Sequence, residues 1–323
     1  MKNLLGLYIP TYNRVEKLAE CLRSVIPEAS RFNLPIYISD NASIDGTEKF
    51  IKNLKNEYAN IHYKKNKRNL GYPLNIVKLL KMANTEFIWF FGDDDKFKEN
   101  AIGEVLKYIK KGYDFLQINS DLYDNDMNYK INDETIHVGN NLIYNPGEHN
   151  IALDKAGYYA GFLSAMITRR SFLIKELRKL NKKSVPKLEY IQSILFYRSI
   201  VNKKGILIAK PLFSIRSTKK FPERGIEHQF KNYPETLHYL KGYYEEKSLN
   251  KFRKPKSILT TIFMSKRDQP NMAKTNIKYI IENKDIGSLN KLLGYMILKT
   301  PDSLIRRSSD VLKKIYHATE LEG

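Results

Sequence analysis

Short apolar runs alternate with amphipathic stretches through the first 110 residues of the chain. The apolar runs predict buried strands at 4–9, 35–39, 61–64 and 87–91. The stretches between them carry apolar residues at helical spacing, which predicts helices at 15–26, 46–57, 74–82 and 100–111. Strands and helices that alternate at this spacing indicate an α/β fold, with a Rossmann-like, mostly parallel sheet flanked by helices.

The pattern continues less regularly in the second half of the chain. Further strands are predicted at 114–119 and 205–216, and further helices at 171–180 and 188–200. The polar segment 121–146 predicts a hairpin or a lid. Beyond residue 225 the chain is basic and helical, and Thr300 followed by Pro301 is a favourable start for an amphipathic helix over 300–316.

Polar, turn-forming residues follow each of the first four predicted strands. They are Pro10, Thr11, Tyr12, Asn13 and Arg14 after the first, Asp40 and Asn41 after the second, Asn69 and Gly71 after the third, and Asp93, Asp94 and Asp95 after the fourth. Each of these loops could be ordinary turn chemistry. In parallel sheets, however, ligands bind beyond the carboxyl ends of the strands. Four such loops therefore predict a nucleotide site, with the base near the early loops and the diphosphate near the aspartates.

The three aspartates directly follow an apolar run that ends in Phe90, Phe91 and Gly92. Carboxylates packed this closely repel one another, and oxygen-rich clusters suit Mg²⁺ or Mn²⁺. A cation held there would neutralise phosphate oxygens of a substrate. The alternative is an acidic turn that caps the helix beginning near Asn100.

The net charge of +20 lies entirely in the second half of the chain. Residues 1–160 are neutral, residues 161–225 carry +13 and residues 226–323 carry +7. A basic surface favours polyanions: a phosphate-bearing substrate, anionic lipid or nucleic acid. A well-solvated, lysine-rich surface is the alternative explanation.

Cysteine content and hydropathy favour a reducing compartment. The single cysteine, Cys21, excludes a disulfide framework. The apolar run at 4–9 is too short for a signal peptide, and no run reaches the about 18 apolar residues that span a bilayer. The expected location is cytoplasmic, with the inner face of the cell membrane as a peripheral site.

Four segments taken in order resemble the motifs of family 2 glycosyltransferases of the GT-A fold. They are Ile9 to Arg14, Ser39 to Thr47, Asn69 to Gly71 followed by Asn75, and Gly92 to Asp95. The resemblance is specific over residues 4–110, weaker to about 225 and slight beyond. It implies a GT-A domain over 1–225, with a nucleotide-sugar half (1–110) and an acceptor half (111–225), followed by a basic helical region over 226–323.

The resemblance also implies roles for individual residues. Asp40 would read the nucleotide base, and Asp95, then Asp93, would ligate Mn²⁺ or Mg²⁺; glycine at 92, where many members carry aspartate, leaves the primary ligand open. The donor would be a nucleotide-diphosphate sugar of the UDP, dTDP or GDP type. The residues expected to bind it are Pro10, Thr11, Tyr12, Asn13, Arg14, Asp40, Asn41, Asn69, Gly71, Asn75, Asp93 and Asp94.

In that family the sugar moves in a single displacement with inversion, and a carboxylate takes the proton of the acceptor hydroxyl. Glu189 lies near where the family places this base, at the start of a helix in the acceptor half. The family often has aspartate there, preceded by glutamate. Asp121 and Asp124 are the other candidates, and a helix-terminus role is the alternative for Glu189.

Absent motifs and charge separate the competing functions. Processive members carry a downstream tryptophan motif, whereas the single tryptophan here, Trp89, precedes the aspartates. A sugar nucleotidyltransferase would need a glycine-rich first loop, which residues 10–14 lack. A nucleic-acid-binding protein would suit the charge, but no binding motif is present, so nucleic acid is not an expected partner. The expected acceptor is a glycan or lipid-linked saccharide of cell-surface polysaccharide synthesis; an anionic membrane and a second copy of the chain are further candidate partners.

Overall fold

A computed structural model describes residues 3–217, 232–253, 288–301 and 303–304. The chain divides into two units: Met1–Ser217 with Thr236–Phe252, and Thr218–Glu235 with Arg253–Gly323. The predicted domain boundary at residue 225 and most of the predicted helix 300–316 lie outside the described residues. Both stay predictions.

The described residues contain ten strands and ten α-helices. The strands are β1 (Asn3–Thr11), β2 (Ile36–Asp40), β3 (Ile61–Lys65), β4 (Thr85–Phe90), β5 (Lys96–Phe97), β6 (Phe115–Tyr123), β7 (Lys130–Asn132), β8 (Leu142–Tyr144), β9 (Met166–Arg169) and β10 (Gly205–Arg216). The helices are α1 (Val15–Phe32), α2 (Thr47–Leu54), α3 (Tyr72–Met82), α4 (Ala101–Lys110), α5 (His149–Ala156), α6 (Arg170–Lys179), α7 (Ile191–Ser199), α8 (Tyr233–Leu240), α9 (Glu246–Arg253) and α10 (Ser288–Lys299).

The strands of the first unit form one sheet in the order β3-β2-β1-β4-β9-β6-β10-β5, with β7 beside β6 and β8 beside β10. The first four strands in this order are parallel. β9 then runs antiparallel to both β4 and β6, while β6 and β10 are parallel to each other. The predicted α/β sheet is confirmed, and its parallel part is the part that the sequence pattern covers best.

The predicted elements of the first 110 residues all occur, with boundaries shifted by a few residues. The polar segment 121–146 forms two short strands, β7 and β8, which pair with different neighbours, β6 and β10. These two strands do not pair with each other as a hairpin. The predicted strand over 205–216 and the helices near 171–180 and 188–200 are present as β10, α6 and α7.

Strand β4 is buried on both faces of the sheet. Phe87, Trp89 and Phe91 belong to the apolar cluster that includes α1 and α4. Ile88 and Phe90 point to the other cluster, with α3, α6 and α7. Because successive side chains of a strand face opposite sides, burial on both sides requires an uninterrupted apolar run. This strand therefore carries the aspartates at its end on a rigid base.

Helix α10 of the second unit has an exposed apolar face. Leu292 is 58% exposed, Met296 is 57% exposed, and Tyr295 lies between them in the sequence. The spacing of three and four residues places these side chains on one side of a helix. Among the described helices, none combines the length and apolar character that crossing a bilayer takes.

Candidate active site

The three aspartates occupy the turn after β4, at the carboxyl ends of the parallel strands. Asp93 and Asp95 are 5% and 8% exposed, so both carboxyl groups are largely removed from water. Thr11 donates a hydrogen bond from Oγ1 to Asp93 Oδ2 at 2.7 Å. Arg14 donates from one nitrogen to Asp93 and Asp94, at 3.0 Å each. The structure thus brings the first and fourth predicted loops into direct contact.

The helix that follows the aspartates is capped by a different carboxylate. Glu28 of α1 accepts hydrogen bonds from the backbone N–H groups of Ala101 and Ile102, at 3.1 and 2.8 Å. These are the first two residues of α4, whose orphan N–H groups need acceptors. The alternative that the aspartates cap this helix is therefore wrong, and their clustering needs another explanation.

Burial raises the pKa of both Asp93 and Asp95. Burial and the neighbouring charge of Asp94 raise the pKa of Asp93 to about 6, although Arg14 and Thr11 oppose the shift. Burial is the main cause that raises the pKa of Asp95 well above its usual range, and the charge of Asp94 raises it further. Ordinary aspartates ionise near pH 4. The positive charge of the surrounding side chains therefore does not offset the burial of these two carboxylates.

The donor set fits a hard divalent cation. Carboxylate oxygens are the ligands that Mg²⁺ and Mn²⁺ prefer, and Asp93 and Asp95 present two such groups. Within the described part of the chain, no group of three or more His, Cys, Asp or Glu side chains is arranged as a metal cage. Mg²⁺ is commonly bound by one or two carboxylates together with substrate phosphates and water. The residues present match that pattern.

Asp40, expected in a turn at the edge of the sheet, is instead the last residue of β2 and is fully buried. Its Oδ1 accepts the backbone N–H of Ser43 at 2.8 Å, and its Oδ2 accepts the hydroxyl of Tyr63 at 2.5 Å. Tyr63 comes from the neighbouring strand β3. The carboxylate therefore shapes the loop after β2 in addition to any contact with a ligand.

The predicted binding residues Asn41, Asn69 and Asn75 belong to a network of side-chain amides. Asn41 donates to Asn69 Oδ1 at 2.7 Å, and Asn66 donates to Asn41 and Asn75 at 3.2 and 3.0 Å. The N–H of Gly71 also donates to Asn69; the φ of Gly71 is 80°, a conformation that favours glycine. The network joins the loops that follow β2 and β3.

The loops after β1 and β2 are joined by the backbone at Asn13. Its N–H donates to Ser43 Oγ at 2.8 Å, and its Oδ1 accepts the N–H of Ile44 at 2.9 Å. Asn13 adopts a φ of 50°, which asparagine tolerates better than most residues. Pro10 lies inside β1, whereas Tyr12 has an exposed ring beside this junction. Of the predicted residues in this loop, Tyr12, Asn13 and Arg14 are exposed, whereas Pro10 and Thr11 are buried.

Glu189 lies between the 3-10 turn Val185–Lys187 and helix α7. Tyr72, the first residue of α3, lies near both Glu189 and Asp93. Burial chiefly raises the pKa of the Tyr72 hydroxyl, and the negative charges of Glu189 and Asp93 raise it further. Glu189 and Asp93 therefore both lie near enough to Tyr72 for their charges to act on its hydroxyl. The role of Glu189 as the base stays a prediction.

The two other candidates for the base have structural partners. Asp121 is fully buried and forms an ion pair with Lys98. Asp124 accepts the backbone N–H groups of Asn128 and Tyr129 at 2.6 and 3.0 Å, which closes the turn before β7. Both carboxylates therefore have a structural role, and the assignment of the base stays a prediction.

Arg216, at the end of β10, is a site residue that the sequence did not indicate. Its buried guanidinium donates to the backbone oxygens of Asp94 and Asn125, at 2.9 and 2.7 Å, and pairs with Glu20 of α1. Arg216 lies 122 residues from Asp94, so no local pattern links the two. The arginine thus holds the turn of Asp93 to Asp95 from the end of β10.

Comparison with known proteins gives a family match and partial relatives. The sequence model of glycosyl transferase family 2 matches residues 7–173, just over half of the chain. An abequosyltransferase of Salmonella typhimurium is 41% identical over 109 residues, which is 33% of this chain and 32% of that protein. The chain thus spans about a third of the length of the curated relatives that it matches.

Solved structures share the fold over nearly the whole chain. TarS residues 1–349 of S. aureus, in complex with UDP, is 15% identical with a TM-score of 0.58, covering 95% of this chain and 92% of that one. A mannosyltransferase of Pyrobaculum calidifontis, in complex with GDP-Man and Mn²⁺, is 13% identical with a TM-score of 0.55, covering 90% and 78%. These likenesses establish the GT-A fold.

Proposed function

The chain belongs to glycosyl transferase family 2, and on that premise we propose that it transfers one sugar residue from a nucleotide-diphosphate sugar to a saccharide or lipid-linked saccharide. One observation carries this proposal. Two buried aspartates with raised pKa values, Asp93 and Asp95, follow β4, and Asp93 accepts hydrogen bonds from Thr11 and Arg14 of the first loop. This is a site where a cation and a diphosphate can share charge.

The donor would lie along the carboxyl ends of β1 to β4. We assign the nucleotide base to the loops that carry Tyr12 and Asp40, where the exposed ring of Tyr12 can stack on it. Asp93 and Asp95 would hold Mn²⁺ or Mg²⁺. Arg14 would keep the charge of Asp93 and Asp94 in balance while the diphosphate binds.

The reaction would be a single displacement with inversion. Glu189 would accept the proton of the acceptor hydroxyl. The oxygen of that hydroxyl forms the new bond to the anomeric carbon. The bond between that carbon and the diphosphate breaks, and the nucleoside diphosphate leaves with the electron pair. A bound divalent cation supplies positive charge to the leaving diphosphate. Burial of Asp93 and Asp95 limits competing water around these carboxylates.

Names of related proteins support the substrate classes. An abequosyltransferase is among the relatives, and the structural neighbours hold UDP or GDP-Man, one of them with Mn²⁺. These names favour a nucleotide sugar as donor and a glycan as acceptor. We extend this to cell-surface polysaccharide synthesis as part of the proposal.

Thermal-shift screening tests the proposal. UDP, dTDP and GDP sugars are each added to the full chain, with and without Mn²⁺. One nucleotide class should raise the melting temperature, and more so with Mn²⁺; a ligand at 100 times its Kd adds about 2.7 kcal/mol of stability. If no nucleotide sugar shifts the melting temperature at millimolar concentration, while DNA does so in a salt-dependent way, the proposal fails.

Asp40→Asn should weaken nucleotide binding about 10- to 100-fold, because hydrogen bonds to charged groups contribute about 1.5–3 kcal/mol. Because Asp40 is buried, the variant should also lose about 1–3 kcal/mol of unfolding free energy. Tyr63→Phe is the matched control: it removes the hydroxyl that contacts Asp40 and should lower stability without a comparable loss of affinity. Calorimetric titration with UDP, dTDP and GDP measures the affinities. Unchanged affinities in Asp40→Asn would show that Asp40 does not bind the nucleotide base.

We further propose that the protein acts in the cytoplasm and attaches peripherally to the inner face of the membrane. Helix α10 supports this through its exposed residues Leu292, Tyr295 and Met296. Lys291 and Lys299 lie next to this face in the sequence, and the net charge of residues 226–323 is +7. Apolar residues combined with lysines are typical of helices that lie in the membrane interface.

The full chain should therefore sediment with phosphatidylglycerol vesicles at about 0.01 M ionic strength, and less at about 0.15 M. Leu292→Ser with Met296→Ser should weaken binding at least about tenfold, since each buried Leu or Met side chain contributes about 1.5–3 kcal/mol. Ile143→Ser, which removes a similarly exposed apolar side chain from β8, is the matched control. A wild-type chain that ignores anionic vesicles would contradict the proposal, and self-association would then be measured by analytical ultracentrifugation.

A further inference from the structure

Ser164 lies in the 3-10 turn Leu163–Ala165 that leads into β9, and it is fully buried. Its hydroxyl accepts the backbone N–H of Gly92 at 2.8 Å and donates to Asp95 Oδ2. Its carbonyl oxygen accepts the indole N–H of Trp89 at 2.9 Å. Ser164 thus contacts the end of β4, the start of the aspartate turn and the carboxylate of Asp95 together. Ser164 is not among the site residues that the sequence predicts.

Gly92 shows how closely the carboxylate is held. A Cβ atom at this position would lie 2.8 Å from Asp95 Oδ2 and 3.2 Å from its Cγ. Atoms cannot approach that closely without a shift, so the Asp95 carboxylate occupies the space that a side chain at 92 would need. Glycine at 92 therefore accommodates this position of the Asp95 carboxylate. The carbonyl of Gly92 also accepts the thiol of Cys21 at 3.5 Å, so its peptide is held on both sides.

We propose that Ser164 is a positioning residue that presents Asp95 to the cation. By engaging Oδ2, the Ser164 hydroxyl fixes the rotation of the carboxylate and leaves Oδ1 as the ligating oxygen. Gly92 provides the space for this orientation. The inference rests on the proposed function, in which Asp95 is a metal ligand. Groups that hydrogen-bond a metal ligand commonly change metal affinity about 10- to 100-fold when they are removed.

Ser164→Ala tests this role, with Mn²⁺ affinity in the presence of UDP measured by electron paramagnetic resonance of free Mn²⁺. If the donor screen selects another nucleotide, its diphosphate replaces UDP. We expect the Kd for Mn²⁺ to rise about 10-fold or more, while nucleotide affinity without metal stays within about twofold. Ser164→Ala keeps the backbone carbonyl that Trp89 uses, which limits the structural effect. Ser164→Thr retains the hydroxyl and should restore most of the Mn²⁺ affinity.

Two further variants separate positioning from loss of packing. Gly92→Ala places a methyl group against Asp95 Oδ2, the oxygen that Ser164 engages, and should weaken Mn²⁺ binding with Ser164 intact. Cys21→Ala is the matched control, since it removes a contact to the Gly92 carbonyl without touching Asp95. It should leave the Mn²⁺ affinity unchanged. In Ser164→Ala the KM for Mn²⁺ should rise more than kcat falls.

The outcomes are distinguishable. If the wild-type protein binds a nucleotide with Mn²⁺ and Ser164→Ala binds both equally well, the positioning role is overturned and the proposed function stands. If Ser164→Ala loses metal-free nucleotide affinity and Mn²⁺ affinity to the same extent, the serine has a structural role only, and the inference is again overturned. If the wild-type protein binds neither Mn²⁺ nor a nucleotide, the proposed function fails and the inference with it.

Discussion

Asp95→Ala is expected to abolish detectable sugar transfer and to make nucleotide binding independent of Mn²⁺. The reason is that the diphosphate would lose the counter-charge that Asp95 holds in place. Removal of one group that stabilises developing charge costs about 10²–10³-fold in kcat, and loss of a metal ligand should cost at least as much. Initial rates and calorimetric titration of the nucleoside diphosphate, each with and without Mn²⁺, measure both effects.

The stability of this variant distinguishes a functional from a structural aspartate. The folded-state pKa of Asp95 lies above its unfolded value. Ionised Asp95 therefore opposes folding, and stability falls as pH rises above about 4, where free aspartate ionises. Without metal at pH 7.5, Asp95→Ala should thus melt at or above the wild-type temperature. Asp133→Ala is the control because this side chain is 90% exposed. It should change neither the melting temperature nor the Mn²⁺ dependence of nucleotide binding. Nucleotide binding that stays equally tight and metal-dependent in Asp95→Ala would move the cation elsewhere.

Glu189→Gln is expected to lower kcat by about 10²–10⁴-fold, the usual contribution of a general base. Donor affinity should change less than about twofold, because in the proposed mechanism Glu189 acts in the chemical step alone. The variant keeps the shape of the side chain, and Glu189 precedes helix α7 instead of lying within it. Single-turnover rates with saturating donor, compared with the Kd of the nucleoside diphosphate, separate the two quantities.

Asp121→Asn provides the comparison for this experiment. Asp121 is buried in an ion pair with Lys98, so the variant should lose stability while its folded fraction keeps near wild-type kcat. Breaking a buried pair on one side costs about 3–5 kcal/mol. If Asp121→Asn loses kcat and Glu189→Gln does not, the base is Asp121 in β6, and Glu189 has the helix-terminus role instead.

The first half of the fold was predictable because its signals are local. Residues 87–91, at the end of β4, are apolar without interruption because both faces of the strand are buried there. The loops that follow the first four strands contain the residue types that turns require, so their position at one edge of the sheet follows from the parallel order. The contacts of Thr11 and Arg14 with Asp93 agree with this expectation.

The second half depends on contacts between distant positions, which leave little pattern in the sequence. β9 is a four-residue strand that inserts antiparallel between β4 and β6. Ser164 and Arg216 reach the aspartate turn from 69 and 122 residues away. The burial of Asp40 was missed for a similar reason, since Tyr63 covers it from a neighbouring strand. A local polar pattern cannot distinguish an exposed turn from a buried one.

Arg216 and Ser164 have a consequence for building hybrid enzymes. The proposed donor half, residues 1–110, is continuous in the sequence, so it could be exchanged between family members as one segment. Its aspartate turn, however, is held by a serine and an arginine that the other half supplies. A hybrid joined near residue 110 would inherit the acidic turn without its two supports, unless the recipient carries a hydroxyl and a guanidinium at the matching places. Donor preference in this protein is therefore not transferable as a single block, and a crossover that keeps residues 164 and 216 with the turn is the workable design.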